Sequence, residues 1–134
     1  MAKITKINHV AIVVEDMQKA LTFWQDTLGI ELSELRDVPQ EAAQVAFLPL
    51  GESEIELVFP TTADSGLAKY LAKRGPGMHH ICLEVDDLEA ALSRLKQLNV
   101  RLINEEPRTS TDGRRYAFIH PDSANGVLVE LYET

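Results

Sequence analysis

HHICLEVDD at residues 79–87 decides the fold, because NHVAIVVED at residues 8–16 has the same order of residue types, a histidine followed by an apolar run and an acidic end. Each run is a strand pattern that starts beside a histidine and ends at an aspartate. The 71-residue offset that separates His9 from His80 also separates the aspartates that end the two runs. We therefore predict a duplicated chain in which two βαβββ units follow one another.

The composition excludes several classes of partner. A chain of 134 residues is long enough for one compact domain, residues 1–134, and too short for an additional regulatory domain. The net charge of −8 argues against nucleic acid or an anionic membrane as a partner. No apolar run approaches the roughly 20 residues that a membrane-spanning helix requires. The single cysteine, Cys82, cannot form an intrachain disulfide, which predicts a reducing, cytoplasmic compartment.

The apolar pattern divides the chain into a first βαβββ unit at residues 1–60, a helical linker at 61–77 and a second unit at 78–134. In the first unit it predicts a strand at 4–14, a helix at 17–28, a strand at 31–36 and a hairpin of 44–50 with 54–59. The linker contains a short helix around 67–73. In the second unit it predicts a strand at 78–85, a helix at 87–98 and strands at 101–104, 116–120 and 127–132, with a turn at 111–113. Asp86 and Glu89 resemble a capping box for the second helix.

One histidine on the first strand and one glutamate on the last strand recur in both units. Alternation places these side chains opposite the apolar residues that pack under the helices. If the units pair about a pseudo-twofold axis, four side chains converge: His9, Glu56, His80 and Glu130. Two neutral imidazoles and two carboxylates balance a divalent ion and suit Co²⁺, Mn²⁺, Ni²⁺ or Zn²⁺. Glu54 shares a predicted face with Glu56 and is the alternative ligand.

Each of these residues also has an ordinary explanation. A histidine at a strand start is more often a hydrogen-bonded structural residue, and a glutamate in an apolar strand more often faces solvent. The recurrence of the same residue types at the same places in both units favours the metal site, because a solvated face has no reason to keep this register.

Over its whole length the sequence resembles the vicinal oxygen chelate superfamily, which includes glyoxalases, bleomycin resistance proteins and ring-cleaving dioxygenases. The resemblance rests on INHVAI at 7–12, VAFLPLG at 45–51, EIEL at 54–57, GMHHICLEVD at 77–86, FIHP at 118–121 and SANGVLVEL at 123–131. It implies an α+β, glyoxalase-like fold whose two βαβββ units pair into an open metal-binding barrel. It also implies that His9, Glu56, His80 and Glu130 hold a divalent ion, with Co²⁺ as the first choice.

Within the superfamily the sequence is most similar to epimerases of malonyl-type thioesters. This resemblance implies a homodimer that interconverts (R)- and (S)-methylmalonyl-CoA by α-proton abstraction through a metal-stabilised enolate, with Glu130 as a catalytic base. Two alternatives share the fold. One is a glyoxalase-type isomerase that acts on a glutathione hemithioacetal, and the other is a metal-free module that binds a small molecule such as an antibiotic.

The sequence departs from the family pattern at two positions. Some members have a glutamate, proposed as the second base, where this chain has Val45. Gln44 cannot usefully accept a proton, and His120 and Glu41 are weaker candidates for which structural roles are favoured. Asp122 stands where relatives often have a lysine, which replaces a positive group near the substrate by a negative one.

The predicted substrate carries phosphates, so cationic and backbone-rich contacts are expected. The candidates for contact with the substrate are Gln44, Ser123, Asn125 and Arg115. Arg115 belongs to a basic cluster with Arg108 and Arg114 that flanks the turn at 111–113. The alternative cluster lies along the linker helix and consists of Lys69, Lys73 and Arg74. A solvated face is the commoner explanation for either cluster.

Overall fold

The structure is a computed structural model that describes residues 1–110 and 112–133. The chain forms two compact units. We call Val10–His79 the central unit, and Met1–His9 together with His80–Thr134 the terminal unit. These compact units differ from the sequence repeats in that the start of the first strand belongs with the second half of the chain. The predicted boundaries at residues 60 and 77 stay predictions.

The elements of the central unit are the end of β1 (Ile4–Val13), α1 (Met17–Leu21) with a following π-helix (Thr22–Thr27), β2 (Glu34–Val38), a 3₁₀ turn (Pro39–Glu41), β3 (Ala43–Leu50), β4 (Ser53–Pro60) and α2 (Gly66–Arg74). The four strands form a sheet in the order β2-β3-β4-β1. Strand β4 runs parallel to β1 and antiparallel to β3. The predicted hairpin and linker helix are confirmed within one residue at each end.

The first helix begins where the sequence predicts and ends differently. The Asp16 side chain accepts a hydrogen bond from the Lys19 amide, as expected of an N-cap. Met17 and Leu21 are buried in a core that also contains Val14. The predicted α-helix over 17–28 is wrong in its second half, where the helix widens into i to i+5 hydrogen bonding. Strand β2 begins three residues later than predicted.

The elements of the terminal unit are residues 4–9 of β1, β5 (Gly77–Val85) from His80 onward, α3 (Leu88–Gln97), β6 (Arg108–Thr109), β7 (Arg115–Ile119), a 3₁₀ turn (Pro121–Ser123) and β8 (Val129–Glu133). Their strand order is β1-β5-β8-β7-β6. Strand β8 runs parallel to β5 and antiparallel to β7. The element order therefore confirms the predicted succession of two βαβββ units.

The predicted strand at 101–104 is wrong. That segment makes a single bridge, between Leu102 and Ile119, and the short strand β6 lies further along the chain. The Asn104 side chain accepts the Phe118 amide proton at 2.9 Å, so the backbone cannot continue a regular ladder at this point. Thr111, the first residue of the predicted turn at 111–113, lies outside the described residues.

The predicted capping box at α3 is also wrong. Asp87, one residue later than predicted, is the N-cap and accepts from the Ala90 amide at 3.0 Å. Asp86 instead accepts from the Lys3 amide at 2.8 Å. A distant backbone donor therefore decides which of two adjacent aspartates caps the helix. None of the helices in the described part of the chain combines the length and the hydropathy of a membrane span.

Candidate metal and active site

Three ligand atoms converge in the terminal unit. His9 Nε2 lies 3.2 Å from His80 Nε2, and Glu130 Oε1 lies 3.1 Å from His80 Nε2 and 3.5 Å from His9 Nε2. Metal–nitrogen and metal–oxygen bonds of about 2.1 Å place neighbouring ligands ~3.0 to 3.4 Å apart around one ion. The three atoms are thus spaced as ligands of a single divalent ion, and neutral imidazole with carboxylate suits Co²⁺, Mn²⁺, Ni²⁺ or Zn²⁺.

Strand pairing positions these side chains. His9 lies on β1, His80 lies on β5, and Glu130 on β8 pairs in register with Cys82 of β5. Cys82 is two residues after His80, so His80 and Glu130 emerge on the same face of adjacent strands. The ring of Phe118, the β7 partner of Glu130, meets the His80 ring edge-on at 5.5 Å between centroids.

The site is buried and its carboxylate is ionised. His9 is 7% exposed and Glu130 is 9% exposed. Burial by itself raises the pKa of Glu130, but hydrogen bonds and positive charge from His80 and His9 outweigh it and lower the pKa to about 2. The ionised carboxylate is the form that binds a metal ion.

Cys82 offers a further possible metal ligand, its sulfur atom, which was not among the residues predicted from sequence. Its sulfur, a His9 ring nitrogen and a Glu130 carboxylate oxygen all lie within 4.8 Å of one another, and Cys82 is fully buried. The signal was available, because alternation places Cys82 on the same face as His80. The other sequence repeat has alanine, Ala11, at the corresponding position, and alanine offers no ligand atom.

Glu56 lies in the central unit, on β4, and is partly buried. Its register partners are Ala11 on β1 and Phe47 on β3. Glu130 has Cys82 and Phe118 as the corresponding partners. Each glutamate therefore pairs with the residue two positions after the histidine of its own sequence repeat, Ala11 after His9 and Cys82 after His80. The assignment of Glu56 as the fourth ligand stays a prediction.

The position of the missing glutamate is apolar. Val45 is 4% exposed and lies in a buried cluster with Val13, Ala43 and Val58. Leu67 and Leu71 of α2 pack against the same cluster, together with Val38, Phe47 and Tyr70. A hydrocarbon side chain cannot exchange a proton, so this position supplies no base.

Of the other candidates for the second base, Glu41 is exposed on a 3₁₀ turn, and His120 Nδ1 accepts from the Asp122 amide at 3.0 Å.

The side chains predicted to contact substrate have partners of their own. Arg115 pairs with Glu89 at 2.8 Å and with Glu133 at 3.5 Å. The Ser123 hydroxyl accepts from the Arg101 amide at 2.8 Å, and Asp122 pairs with the Arg101 guanidinium at 2.8 Å.

The two remaining candidates occupy a turn and a strand. Asn125 is exposed and has a φ of 56° in the turn before β8, and Gln44 is partly buried on β3. The substrate contacts of all four residues stay predictions.

The atoms His9 Nε2, His80 Nε2 and Glu130 Oε1 form what we call the ligand triangle. The fold and this triangle indicate a class of protein. Residues 8–118 match the family model of the glyoxalase/bleomycin resistance protein/dioxygenase superfamily. The chain belongs to this superfamily, which confirms the α+β fold that the resemblance implied.

Within that superfamily the chain is similar to methylmalonyl-CoA epimerases. It is 42% identical over 127 residues to the mitochondrial methylmalonyl-CoA epimerase of Homo sapiens, covering 94% of this chain and 72% of the relative. It is 40% identical to an ethylmalonyl-CoA/methylmalonyl-CoA epimerase of Cereibacter sphaeroides, covering 96% of this chain and 97% of that protein. A solved methylmalonyl-CoA epimerase in complex with methylmalonyl-CoA and NH₄⁺ superimposes with a TM-score of 0.88 at 32% identity, covering 98% of this chain and 96% of that one.

Proposed function

We propose that this protein is a methylmalonyl-CoA epimerase whose divalent ion is held by His9, Glu56, His80 and Glu130, with Co²⁺ as the first choice. The observation that carries the proposal is the triangle of His9 Nε2, His80 Nε2 and Glu130 Oε1, with sides of 3.1 to 3.5 Å. The named relatives, which cover almost the whole chain, support the substrate class. A homodimer and a cytoplasmic location stay predictions.

The proposed reaction removes and returns one proton. A hydrogen on the carbon between a thioester and a carboxylate is weakly acidic, and its loss leaves a planar enolate that can be protonated from either face. A divalent ion, when bound, would stabilise the negative charge that develops on the thioester oxygen. His9 and His80 would bind the ion through neutral imidazole nitrogens, and Glu130 would bind it through a negatively charged carboxylate oxygen.

Two proton transfers on opposite faces are required for inversion. We assign one of them to Glu130, the candidate base that lies at the ligand triangle. The other transfer cannot use the position of Val45, which is apolar and buried. Glu41 and His120 are therefore the carboxylate and imidazole to substitute first in a search for the second group.

The test is hydrogen exchange at the substrate α-carbon. The metal-loaded protein is incubated with one epimer of methylmalonyl-CoA in heavy water, and deuterium incorporation and epimer ratio are followed by mass spectrometry and chiral analysis. We expect incorporation in the wild type, its loss on chelation and its return with Co²⁺. Glu130→Gln, which keeps the side-chain volume, should abolish incorporation. Failure of the metal-loaded wild type to incorporate deuterium would overturn the proposal.

The same preparation tests the glyoxalase-type alternative. Metal-loaded protein is supplied with the hemithioacetal of glutathione and methylglyoxal, and formation of the thioester product is followed. We expect no turnover of this hemithioacetal. Turnover there, without exchange into methylmalonyl-CoA, would replace the epimerase assignment by an isomerase of glutathione adducts.

A further inference from the structure

Asn8 lies between a metal-site histidine and a carboxylate in the terminal unit. The Asn8 side-chain oxygen is 2.8 Å from His9 Nδ1, and its side-chain nitrogen is 3.2 Å from Glu84 Oε1. Asn8 and Glu84 are both partly buried. A backbone contact holds Glu84 near β1, since the Thr5 hydroxyl donates to the Glu84 carbonyl at 3.3 Å.

Three side chains, Glu84, Asn8 and His9, form a hydrogen-bonded series, and their donor and acceptor chemistry fixes where each proton lies. An ionised carboxylate only accepts hydrogen bonds, so Glu84 requires the NH₂ group of Asn8 to face it. The carbonyl oxygen of Asn8 must then face His9. That oxygen also only accepts, so His9 Nδ1 carries the proton and a neutral His9 has its lone pair on Nε2.

The lone pair on Nε2 matters because another group favours the opposite tautomer. Glu130 Oε1 lies 3.5 Å from His9 Nε2 and would attract a proton to that nitrogen. A protonated Nε2 cannot coordinate a metal ion. The hydrogen bond from Nδ1 to Asn8 opposes this, as the outer-shell partners of metal-binding histidines commonly do.

We propose that Asn8 and Glu84 are positioning residues that hold His9 in the Nδ1–H tautomer and thereby prepare Nε2 for the metal ion. This inference rests on the metal site of the proposed function, but the tautomer itself is a property of the metal-free protein. Glu84 acts through Asn8, because it sets which end of the amide faces the imidazole.

The first test measures the tautomer without metal or substrate. Long-range ¹H–¹⁵N NMR spectra of the ¹⁵N-histidine-labelled apoprotein are recorded at a pH of about 8.5, where an ordinary imidazole is neutral. We expect the Nδ1–H form of His9 in the wild type and in the double variant Asn8→Asp/Glu84→Gln, in which a carboxylate still accepts from His9 and an amide replaces the carboxylate that would otherwise repel it. Asn8→Ala should shift His9 toward the Nε2–H form. Glu84→Leu should do the same in part, because the Asn8 amide is then free to turn.

The second test measures metal affinity by competition with a coloured chelator. Loss of such an outer-shell partner lowers metal affinity by about 10- to 100-fold, which we expect for Asn8→Ala with Co²⁺. The double variant Asn8→Asp/Glu84→Gln should stay close to wild type, and Glu31→Leu, at an exposed position before β2, is the matched control for Glu84→Leu. Circular dichroism confirms that each variant is folded.

The outcomes separate this inference from the function on which it rests. Unchanged His9 spectra in Asn8→Ala, or a loss of affinity in Asn8→Asp/Glu84→Gln equal to that in Asn8→Ala, would overturn the positioning role. In a different outcome, the wild type exchanges no substrate α-proton while the His9 tautomer still shifts in the Asn8 and Glu84 variants as expected. That result would overturn the epimerase assignment and leave the positioning role of Asn8 and Glu84 intact.

Discussion

Glu56 and Glu130 occupy equivalent places in the strand pairing of their own units. Glu56 pairs with Ala11 and Phe47, and Glu130 pairs with Cys82 and a second phenylalanine, Phe118. Each glutamate is therefore next to the residue that follows the histidine of its own sequence repeat by two positions. This correspondence inside each unit is the structural argument for a matched pair of carboxylate ligands.

We predict that Glu56→Gln weakens Co²⁺ binding, because it removes a negative ligand while keeping the side-chain volume. Removal of an outer-shell partner already costs about 10- to 100-fold in affinity, so loss of a direct ligand should cost no less. Isothermal titration with Co²⁺ measures the effect. Glu54→Gln is the matched control and should bind as wild type does. Weak binding by Glu54→Gln with normal binding by Glu56→Gln would move the fourth ligand to Glu54.

We predict that Cys82→Ala retains Co²⁺ affinity, because the corresponding residue of the other unit, Ala11, offers no donor. The buried thiol behaves here as a small apolar group, and its removal should lower the free energy of unfolding by about 1 kcal/mol. Urea denaturation of the metal-free protein and titration with Co²⁺ measure the two effects. A loss of affinity comparable to that of Glu130→Gln would instead make the sulfur a ligand.

We predict that metal binding stabilises the folded chain. An ion that binds only the native state at a free concentration of about 100 Kd raises the free energy of unfolding by about 2.7 kcal/mol. Thermal unfolding with and without Co²⁺ checks this, and a chelator should reverse the gain. His80→Ala should show little gain at the same concentration. An equal gain in His80→Ala would place the stabilising ion elsewhere.

We predict that Val45→Glu destabilises the central unit more than Val45→Gln does at neutral pH. The apolar surroundings would raise the pKa of a new carboxyl, so its charged form is disfavoured in the folded state. The two variants should be equally stable below a pH of about 4.3, which is the pKa of a glutamate side chain in the unfolded state. As the pH rises above that value, the free energy of unfolding of Val45→Glu should drop below that of Val45→Gln.

Urea denaturation across that pH range measures the difference between the two Val45 variants. Because only the charge separates glutamate from glutamine, the loss of volume complementarity cancels in the comparison. Equal stability of the two variants at neutral pH would show that water reaches this position, and would contradict its assignment to the apolar core.

We predict that Asp87→Ala lowers the free energy of unfolding by about 1 kcal/mol, the usual cost of losing an N-cap. Asp87→Asn should be nearly neutral, because its amide oxygen can still accept from the Ala90 amide at the position that Asp87 uses. Chemical denaturation of both variants provides the comparison. A similar loss in both would mean that the charge of Asp87, and not the capping hydrogen bond, stabilises α3.

Features that repeat along the chain were predictable from sequence alone. The alternation of period two and the helical spacing of apolar residues are local properties, so they predicted β1, the hairpin of β3 and β4, and the helices α2 and α3. The 71-residue correspondence predicted that His9 and His80 would be used together, and both lie at the ligand triangle.

Features that depend on a partner far along the chain were decided only by the tertiary structure. The Lys3 amide engages Asp86 and leaves Asp87 to cap α3, and the Asn104 side chain interrupts the strand predicted at 101–104. The proton position on His9 depends on Glu84, 75 residues away in sequence. Sequence pattern reports which face a side chain occupies, whereas hydrogen bonds of about 3 Å between distant residues decide what that side chain does.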